Sequence, residues 1–246
     1  MSEQGGAADF GERLGQILAT ATTPPSWWMV LVMASAGVGL SLPGSRFHQA
    51  NLLGLIVHEA GHAAAALITG GRVEIIELTG TRSGVTWTWN SSGFPSVMTS
   101  LAGYAAPPLA GLGVAALLAS GKAPLVLGFG VVLAVLVLLV SRDLITIGLV
   151  LAFGVTMALV LWFAAPAVQV WFACAVLGLL LTHSAVRVPQ LTAEWFRTEP
   201  GEQPEDNDAV ALYRETGVTP YAWLLVWAVW IGFCWWKAAS WLLWPM

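Results

Sequence analysis

Long apolar runs separated by very few charged residues constrain this chain more than any other feature. Of its 246 residues, 57% are hydrophobic and only 10% are charged, whereas soluble domains carry about 25% charged residues. So few charges cannot cover the surface of a water-soluble protein of this size. The composition also excludes a disordered chain, a fibrous repeat and a disulfide-stapled secreted domain. The sequence therefore predicts a membrane protein.

Seven apolar segments meet or approach the length of about 20 residues that a transmembrane helix needs. They comprise residues 27–43, 50–69, 95–120, 124–140, 144–165, 166–186 and 220–244. Six or eight spans are also compatible with the sequence, because only Ser141-Arg142-Asp143 interrupts residues 125–165 and Pro166 can make a kink or a turn. We therefore expect an all-α polytopic membrane protein with about seven transmembrane helices.

Four regions follow from this division of the chain. They are an N-terminal segment (1–26), a membrane core (27–186), an acidic cytoplasmic loop (187–219) and a final tryptophan-rich transmembrane helix (220–246). The final helix carries Trp223, Trp227, Trp230, Trp235, Trp236, Trp241 and Trp244. Such a cluster is typical of side chains that anchor a helix at the membrane interface or face the lipid.

The distribution of basic residues orients the predicted bundle in the cell membrane. With seven spans, one side receives Arg13, Arg72, Arg82, Arg142, Arg187, Arg197 and Arg214. The other side receives only Arg46 and Lys122, with Lys237 near that end of the last span. Because an excess of basic residues marks the cytoplasmic side, we expect a cytoplasmic N-terminus and an external C-terminus.

Short structured segments are predicted outside the spans. In residues 71–90, Val73 and Ile75, and then Val85, Trp87 and Trp89, alternate with polar residues, which favours a β-hairpin. Apolar residues at helical spacing near the N-terminus predict a short helix on the membrane surface; they are Phe10, Leu14, Ile17 and Leu18. In the acidic loop, Asp208 is expected to cap a helix over residues 209–216 that ends at Gly217.

The second span contains the motif His58-Glu59-Ala60-Gly61-His62. Histidines at positions i and i+4 project from one helical face, about 6 Å apart along the axis, so both can reach one metal ion. Glu59, next to the first histidine, is suited to act as a general base. An ionisable residue in the middle of a span costs about 2.5–3.5 kcal/mol on insertion scales. Three such groups on adjacent turns therefore favour a metal site over a buried hydrogen-bonded cluster.

A hydrolytic zinc site usually has three protein ligands. The candidates for the third are Asp143, His48, His183 and the acids of the 187–219 loop. We prefer Asp143, because it interrupts a long apolar run near the same side of the membrane as His62. An ordinary interfacial turn with a local Arg142–Asp143 ion pair is the alternative interpretation of that break, and interfacial positions are the alternative for His48 and His183.

The sequence resembles the site-2-protease family of intramembrane zinc metalloproteases, in its compact branch without a PDZ domain. The resemblance rests on three features: the histidine motif in a span, an aspartate about 80 residues later, and Ala102-Gly103-Tyr104-Ala105-Ala106-Pro107-Pro108-Leu109-Ala110-Gly111 in the intervening span. A looser counterpart follows from Asp208-Ala209 to Trp223, so the similarity covers about residues 51–230.

This resemblance implies an intramembrane zinc endopeptidase. Its substrates would be membrane proteins in the lipid bilayer, cleaved where a transmembrane helix unwinds locally. His58, His62 and Asp143 would bind Zn²⁺, and Glu59 would be the general base. The hairpin either pairs with an extended substrate strand or is a re-entrant structural element.

Nucleic acid is not an expected partner, because a chain with a net charge of −4 has no basic patch to neutralise phosphates.

Two departures from the family pattern motivate alternative functions. Asp143 is not followed by the glycine of the family's third-ligand motif, and Gly111 stands where many members carry asparagine. An asparagine that donates to a developing oxyanion can be worth about 3 kcal/mol. The alternative is therefore a catalytically silent metal-binding protein that binds or regulates a membrane partner. A proton-relay transporter is a weaker option, because it leaves the i, i+4 histidine spacing unexplained.

Overall fold

The apolar runs form helices close to the expected positions in a computed structural model of the chain, which describes residues 3–41, 51–78, 83–197 and 207–244. The elements are α1 (Glu3–Ala19), α2 (Trp27–Ser41), α3 (Leu52–Ile68), β1 (Arg72–Leu78), β2 (Gly84–Trp89), α4 (Phe94–Ala119), α5 (Ala123–Val140), α6 (Leu144–Phe163), α7 (Pro166–Arg197), α8 (Asp208–Thr216) and α9 (Pro220–Leu243). The predicted predominance of helix, with one small hairpin after the second apolar helix, is therefore confirmed.

Seven of these helices coincide with the seven predicted apolar segments. Helices α4, α5, α6, α7 and α9 are long and apolar enough to cross a membrane, whereas α2 and α3 have only 15 and 17 residues. The chain is thus a multi-pass membrane protein, and the number of its crossings, expected as about seven, depends on how α2 and α3 are arranged. Helix α6 ends at Phe163, and Pro166 begins a new helix. Of the two alternatives for Pro166, a turn is therefore correct and a kink within one helix is not. Helix α7 continues to Arg197, eleven residues past its predicted end at 186.

Helices α2 and α3 run in the same direction along α7 and do not form an antiparallel pair. The rings of Trp28 and Trp171 are 5.3 Å apart near the start of α2 and α7, and Ser41 Oγ lies 3.4 Å from Thr182 Oγ1 further along both helices. Asn51, just before α3, donates a hydrogen bond of 2.9 Å to Ser41 Oγ. Helix α3 therefore begins at the level where α2 ends, and the two helices together traverse the bundle once.

The N-terminal segment consequently lies at the end of the bundle opposite the hairpin. The backbone N–H of Thr22 donates to the carbonyl of Gly121 in the α4–α5 turn (2.8 Å). The Arg13 guanidinium lies 4.7 Å from the centre of the Trp162 ring near the end of α6. Leu242, near the end of α9, belongs to the apolar cluster against which α1 packs. The expected N-terminal helix is therefore present as α1, and its apolar face contacts the bundle.

This arrangement corrects one expectation from the charge distribution. Arg13 does not share an end of the bundle with Arg142 and Arg187, because α2 and α3 make one pass between them and not two. The N-terminal segment and the end of α9 lie at the same end.

The hairpin is antiparallel, with Ile76 opposite Thr86 and Leu78 opposite Gly84. An irregularity between Val73 and Ile75 shifts the alternation of β1. As a result Ile76 and Leu78, each only 2% exposed, face the core, whereas Ile75 does not. An irregularity of this kind changes which side chains of a strand point inward. The predicted alternation of apolar and polar residues did not include this irregularity.

Several tryptophans of α9 hold helices together, which differs from the expected interfacial role. Three indole N–H groups donate to backbone carbonyls of α4 and α7: Trp227 to Leu101 (3.0 Å), Trp230 to Ala105 (3.1 Å) and Trp235 to Leu181 (2.9 Å). Trp236 and Trp244, in contrast, are 65% and 69% exposed, as expected of side chains that face lipid or the interface.

Close contact of α2 with α7 requires glycine at position 37. A Cβ at Gly37 would lie 2.7 Å from the carbonyl carbon and oxygen of Gly178, which are backbone atoms that cannot rotate away. Gly37→Ala should therefore lower the free energy of unfolding by about 1–3 kcal/mol. At Gly39, in the same helix, no atom of the described residues lies within 4 Å of the Cβ position, so Gly39→Ala is the matched control. Equal thermal stability of the two variants in detergent would contradict this packing.

Candidate metal centre

The two histidines of α3 point their Nε2 atoms at each other. His58 Nε2 and His62 Nε2 are 3.2 Å apart, and both residues are buried. On the other side of its ring, His62 Nδ1–H donates to the carbonyl oxygen of Thr99 on α4 (2.7 Å). A hydrogen bond of this kind fixes the tautomer that leaves Nε2 unprotonated. The lone pair of His62 Nε2 is therefore free for a metal ion.

Helix α4 can approach the histidine pair because position 103 is glycine. A Cβ at Gly103 would contact the His62 ring at Nε2 and would lie 2.7 Å from His58 Cε1. Tyr104, the next residue, packs edge-to-face on His58 with ring centres 4.5 Å apart. The glycine and the tyrosine thus set the wall of the site on the α4 side.

A carboxylate joins the two histidines in a group of three possible ligand side chains, called here the donor triangle. Asp208 Oδ2 lies 3.4 Å from His58 Nε2, and Asp208 Oδ1 lies 3.5 Å from His62 Nε2. Zinc bonds of about 2.0–2.1 Å in tetrahedral geometry place ligand atoms roughly 3.3 Å from one another. One ligand atom from each of the three side chains lies within 4.8 Å of the others, so these residues fit a zinc ion and would hold it by small adjustments of their side chains.

Helix α8 directs the Asp208 carboxylate to the histidines because its neighbour caps the helix. Asn207, not Asp208 as expected, is the N-cap, and its Oδ1 accepts from the N–H of Ala209 (2.9 Å). Asp208 Oδ2 is buried and has no hydrogen-bond partner among the described residues. Burial raises the pKa of the Asp208 carboxyl, but His62 and His58 together lower the pKa by more. The expected end of α8 at Gly217 is confirmed.

Other contacts fix α8 in place. The Glu215 carboxylate accepts from the N–H of Gly93 (3.2 Å) and from Ser96 Oγ (3.1 Å), both at the start of α4. Leu212 is fully buried in an apolar cluster with residues of α4, α7 and α9. Asp208 therefore belongs to a docked element, whereas four other acids of the predicted loop lie outside the described residues: Glu199, Glu202, Glu205 and Asp206.

The structure does not bring Asp143 to the histidines. Asp143 is the N-cap of α6, where Oδ1 accepts from the N–H of Thr146 (2.7 Å). This hydrogen bonding to Thr146 holds the pKa of the Asp143 carboxyl below its ordinary value. The group of possible metal ligands among the described residues is His58, His62 and Asp208. Asp143 interrupts the apolar run because it starts a helix.

The two remaining histidine candidates have separate outcomes. His48 lies outside the described residues. His183 lies on α7 beside the site, with its ring centre 6.0 Å from that of His58, but it does not join the ligand group. Gly54 makes this position possible, because any Cβ there would overlap the His183 ring.

Glu59 lies next to the donor triangle and is only 3% exposed. Its Oε2 accepts a hydrogen bond of 2.7 Å from the hydroxyl of Thr86 on β2. A Cβ at Gly84 would lie 2.8 Å from Glu59 Oε1. The hairpin therefore holds the carboxylate from the side opposite α3, a role that the alternation of apolar residues did not reveal.

A cavity of about 430 Å³ opens onto the donor triangle and Glu59. Its lining comes from α3, β2, α4, α7 and α8, and the polar members other than the motif include Thr86, Thr88, Thr99, Ser100, His183, Arg187 and Asn207. Gly111 does not line the cavity: a Cβ there would lie 2.8 Å from Leu181 Cδ2 on α7. The site thus offers three metal ligands, a neighbouring carboxylate and room for a peptide segment.

The sequence interpretation gave Asp208 no preference as a ligand, and it did not identify Thr86. A signal for Asp208 was available: apolar Ala209 and Leu212 follow it at i+1 and i+4 within an otherwise acidic segment. Such spacing indicates a short helix that docks on the protein. An acid at the start of a docked helix can reach a buried site, whereas an acid in a solvated loop does not.

Comparison with known proteins agrees with this site. The family model described as Peptidase M50B-like matches residues 18–238. None of the curated proteins and none of the solved structures compared with the chain matches it. The match covers most of the chain and supports the site-2-protease family, and the described residues include no PDZ domain. The chain therefore belongs to the Peptidase M50B-like family, a family of membrane-embedded metallopeptidases.

Proposed function

We propose that this protein is an intramembrane zinc endopeptidase that hydrolyses peptide bonds in or near transmembrane segments of membrane proteins. His58, His62 and Asp208 are the zinc ligands, with Asp208 in the place first expected for Asp143. Glu59 is the general base. The observation that carries the proposal is the donor triangle, in which His58 Nε2 lies 3.2 Å from His62 Nε2 and each of these atoms lies within 3.5 Å of one Asp208 oxygen. It stands beside the buried carboxylate of Glu59 in a helix bundle of the membrane.

The chemistry follows from these side chains. His58, His62 and Asp208 would hold the zinc ion, which would supply polarisation of a substrate carbonyl and a lowered pKa of its bound water. Glu59 accepts the proton that the attacking water loses and passes it to the leaving nitrogen as the C–N bond breaks. Thr86 orients the Glu59 carboxylate, and Thr99 fixes the tautomer of His62.

The hairpin supports binding of an unwound substrate segment. A transmembrane helix keeps its backbone N–H and C=O groups in internal hydrogen bonds, so a scissile bond becomes accessible only after local unwinding. Strand β2 pairs with β1 on one edge, and within the described residues no other strand pairs with it. Gly84, Val85, Thr86 and Thr88 of β2 line the cavity. An extended substrate segment can add to that edge as a third strand.

We infer that the hairpin end of the bundle faces the cytoplasm. Arg72, Arg142, Arg187 and Arg214 belong to elements at that end, whereas Arg13, Lys122 and Lys237 lie at or near the other end. By the positive-inside rule the excess marks the cytoplasmic side. The N-terminal segment, which the sequence alone assigned to the cytoplasm, is then external together with the end of α9, and the metal centre opens towards the cytoplasm.

The alternative function is that of a catalytically silent metal-binding protein, which comparison of the wild type with Glu59→Gln can distinguish from an endopeptidase. The absence of asparagine at position 111 motivated that alternative. Because Gly111 packs against α7 and does not line the cavity, its lack of a polar side chain removes no donor from the site. The endopeptidase and the silent metal-binding protein therefore differ in whether Glu59 acts as a general base in peptide hydrolysis.

Glu59→Gln should retain zinc and lose cleavage. The amide keeps the size of the side chain but cannot accept the water proton, and loss of a general base typically costs about 10²–10⁴-fold in rate. Zinc content by mass spectrometry and cleavage of co-expressed single-span membrane proteins test this together. Equal cleavage by wild type and Glu59→Gln would contradict the mechanism. A wild type that binds zinc but cleaves no reporter would support the silent alternative.

Asp208→Ala should lose most of its zinc, and Asp143→Asn should keep it. Loss of a residue that only hydrogen-bonds to a metal ligand already lowers metal affinity about 10–100-fold. Loss of a ligand itself should lower the affinity for zinc by more. Asparagine replaces aspartate well as a helix N-cap, so position 143 tolerates the change if capping is its role. Zinc titration of both purified variants gives the answer, and the reverse pattern would restore Asp143 as the ligand.

Gly103→Ala should weaken zinc binding about tenfold or more, because its methyl group overlaps the space of the two imidazole rings. Gly113→Ala is the control in the same helix, where nothing in the described part of the chain lies within 4 Å of the new Cβ. The two variants are compared by competition with a coloured zinc chelator. Unchanged affinity in Gly103→Ala would show that α4 does not confine the histidine pair.

A further inference from the structure

The carboxylate of Glu59 is held by a strand and not by its own helix. The Thr86 hydroxyl lies 2.7 Å from Glu59 Oε2 and 3.2 Å from the Glu59 carbonyl oxygen. On the same strand, Gly84 brings its backbone so close that a Cβ would lie 2.8 Å from Glu59 Oε1. Both carboxylate oxygens of the proposed general base are therefore in contact with β2.

Such support matters more for Glu59 than for the metal ligands. A bound ion would fix His58, His62 and Asp208 directly, whereas Glu59 has three rotatable side-chain bonds and does not belong to the group of possible ligands. A general base must lie within about 2.6–3.2 Å of the proton that it removes. A misplacement of about 1 Å can cost on the order of 100-fold in rate.

The strand itself is anchored through its partner. An isolated two-stranded hairpin is at best marginally stable, and here β1 packs Ile76 and Leu78 into the core between α3, α5 and α6. The N–H of Leu78 donates to the hydroxyl of Thr146 on α6 (2.7 Å), and Thr146 is fully buried. The apolar packing and this hydrogen bond together prevent the hairpin from sliding.

The anchored residues of β1 lie directly opposite the residues of β2 that contact Glu59. Ile76 pairs with Thr86, and Leu78 pairs with Gly84. Any shift of Leu78 along α6 therefore moves Gly84 and Thr86 relative to the carboxylate.

We propose that Thr86 is a positioning residue for Glu59 and that Thr146 holds Thr86 in register through Leu78. The proposal rests on the proposed endopeptidase function, because it assigns roles in that reaction. The strand that would receive an extended substrate is then the strand that aligns the base. The two hydroxyls bond to Glu59 and to the N–H of Leu78, so zinc is expected to stay bound when either hydroxyl is removed.

The test compares valine and serine at both positions in the full-length protein. Thr86→Val removes the hydroxyl but keeps the branched shape, and it should lower kcat about 10–100-fold with zinc content and KM unchanged. Thr86→Ser keeps the hydroxyl and should restore most of the rate. Thr146→Val should lower kcat in the same direction but less, and Thr146→Ser should restore it.

The controls separate this proposal from the endopeptidase function on which it rests. Thr156→Val is a matched change on the exposed face of α6, where the hydroxyl bonds only its own helix at the Ala152 carbonyl, and it should leave kcat unchanged. Wild type and Glu59→Gln are assayed in parallel. A zinc-loaded wild type without cleavage overturns the endopeptidase function. An active wild type with full kcat in Thr86→Val, or with no rescue by Thr86→Ser, overturns the positioning role alone.

A second measurement requires no catalysis. The melting temperatures of Thr86→Val, Glu59→Met (similar in length, with no oxygen to accept the hydrogen bond) and the double variant form a cycle that reports whether the two side chains interact. We expect the combined shift in Tm to be smaller than the sum of the single shifts, because both substitutions remove the same hydrogen bond. Additive shifts, or loss of zinc from Thr86→Val, would overturn the proposal.

Discussion

Convergence of two imidazoles and a carboxylate inside an apolar helix bundle is the constraint on which the rest of the structure depends. Polar groups buried in this way are costly unless they are paired or bind a metal. The fold meets this requirement from several directions. Helix α3 supplies His58 and His62, Gly103 lets α4 close over them, and the docked α8 delivers Asp208. The ligand geometry is therefore a product of packing between elements that are distant in the sequence.

Features that depend on local spacing were predictable from the sequence. The apolar runs predicted seven helices, with ends close to those observed except at the end of α7. A run of apolar residues between Pro, Gly and polar turns specifies a helix by itself. The i, i+4 spacing placed His58 and His62 on one face for the same reason. Alternation located the hairpin, although the irregularity near Val73 moved Ile76 into the core in place of Ile75.

Features that depend on contacts between distant elements were not predictable in this way. Asp143 stands out in an apolar run, but it serves as the cap of α6, whereas Asp208 reaches the site only because α8 docks on α4 and α9. The direction of α2 relative to α3 depends on contacts of both helices with α7. These contacts cannot be inferred from the lengths of the apolar runs. Hence the end of the bundle at which the N-terminal segment lies could be identified only from the structure. The family resemblance was recognisable from the sequence alone.

X-ray absorption spectroscopy at the zinc edge of the purified protein tests the central claim most directly. We predict one zinc ion with two imidazole nitrogens and a carboxylate oxygen at about 2.0–2.2 Å. The spectrum of an Asp143→Ala variant should be the same, and that of Asp208→Ala should lose the site. A wild type without zinc, or an Asp208→Ala variant with an unchanged spectrum, would contradict the assignment of His58, His62 and Asp208 as the metal centre.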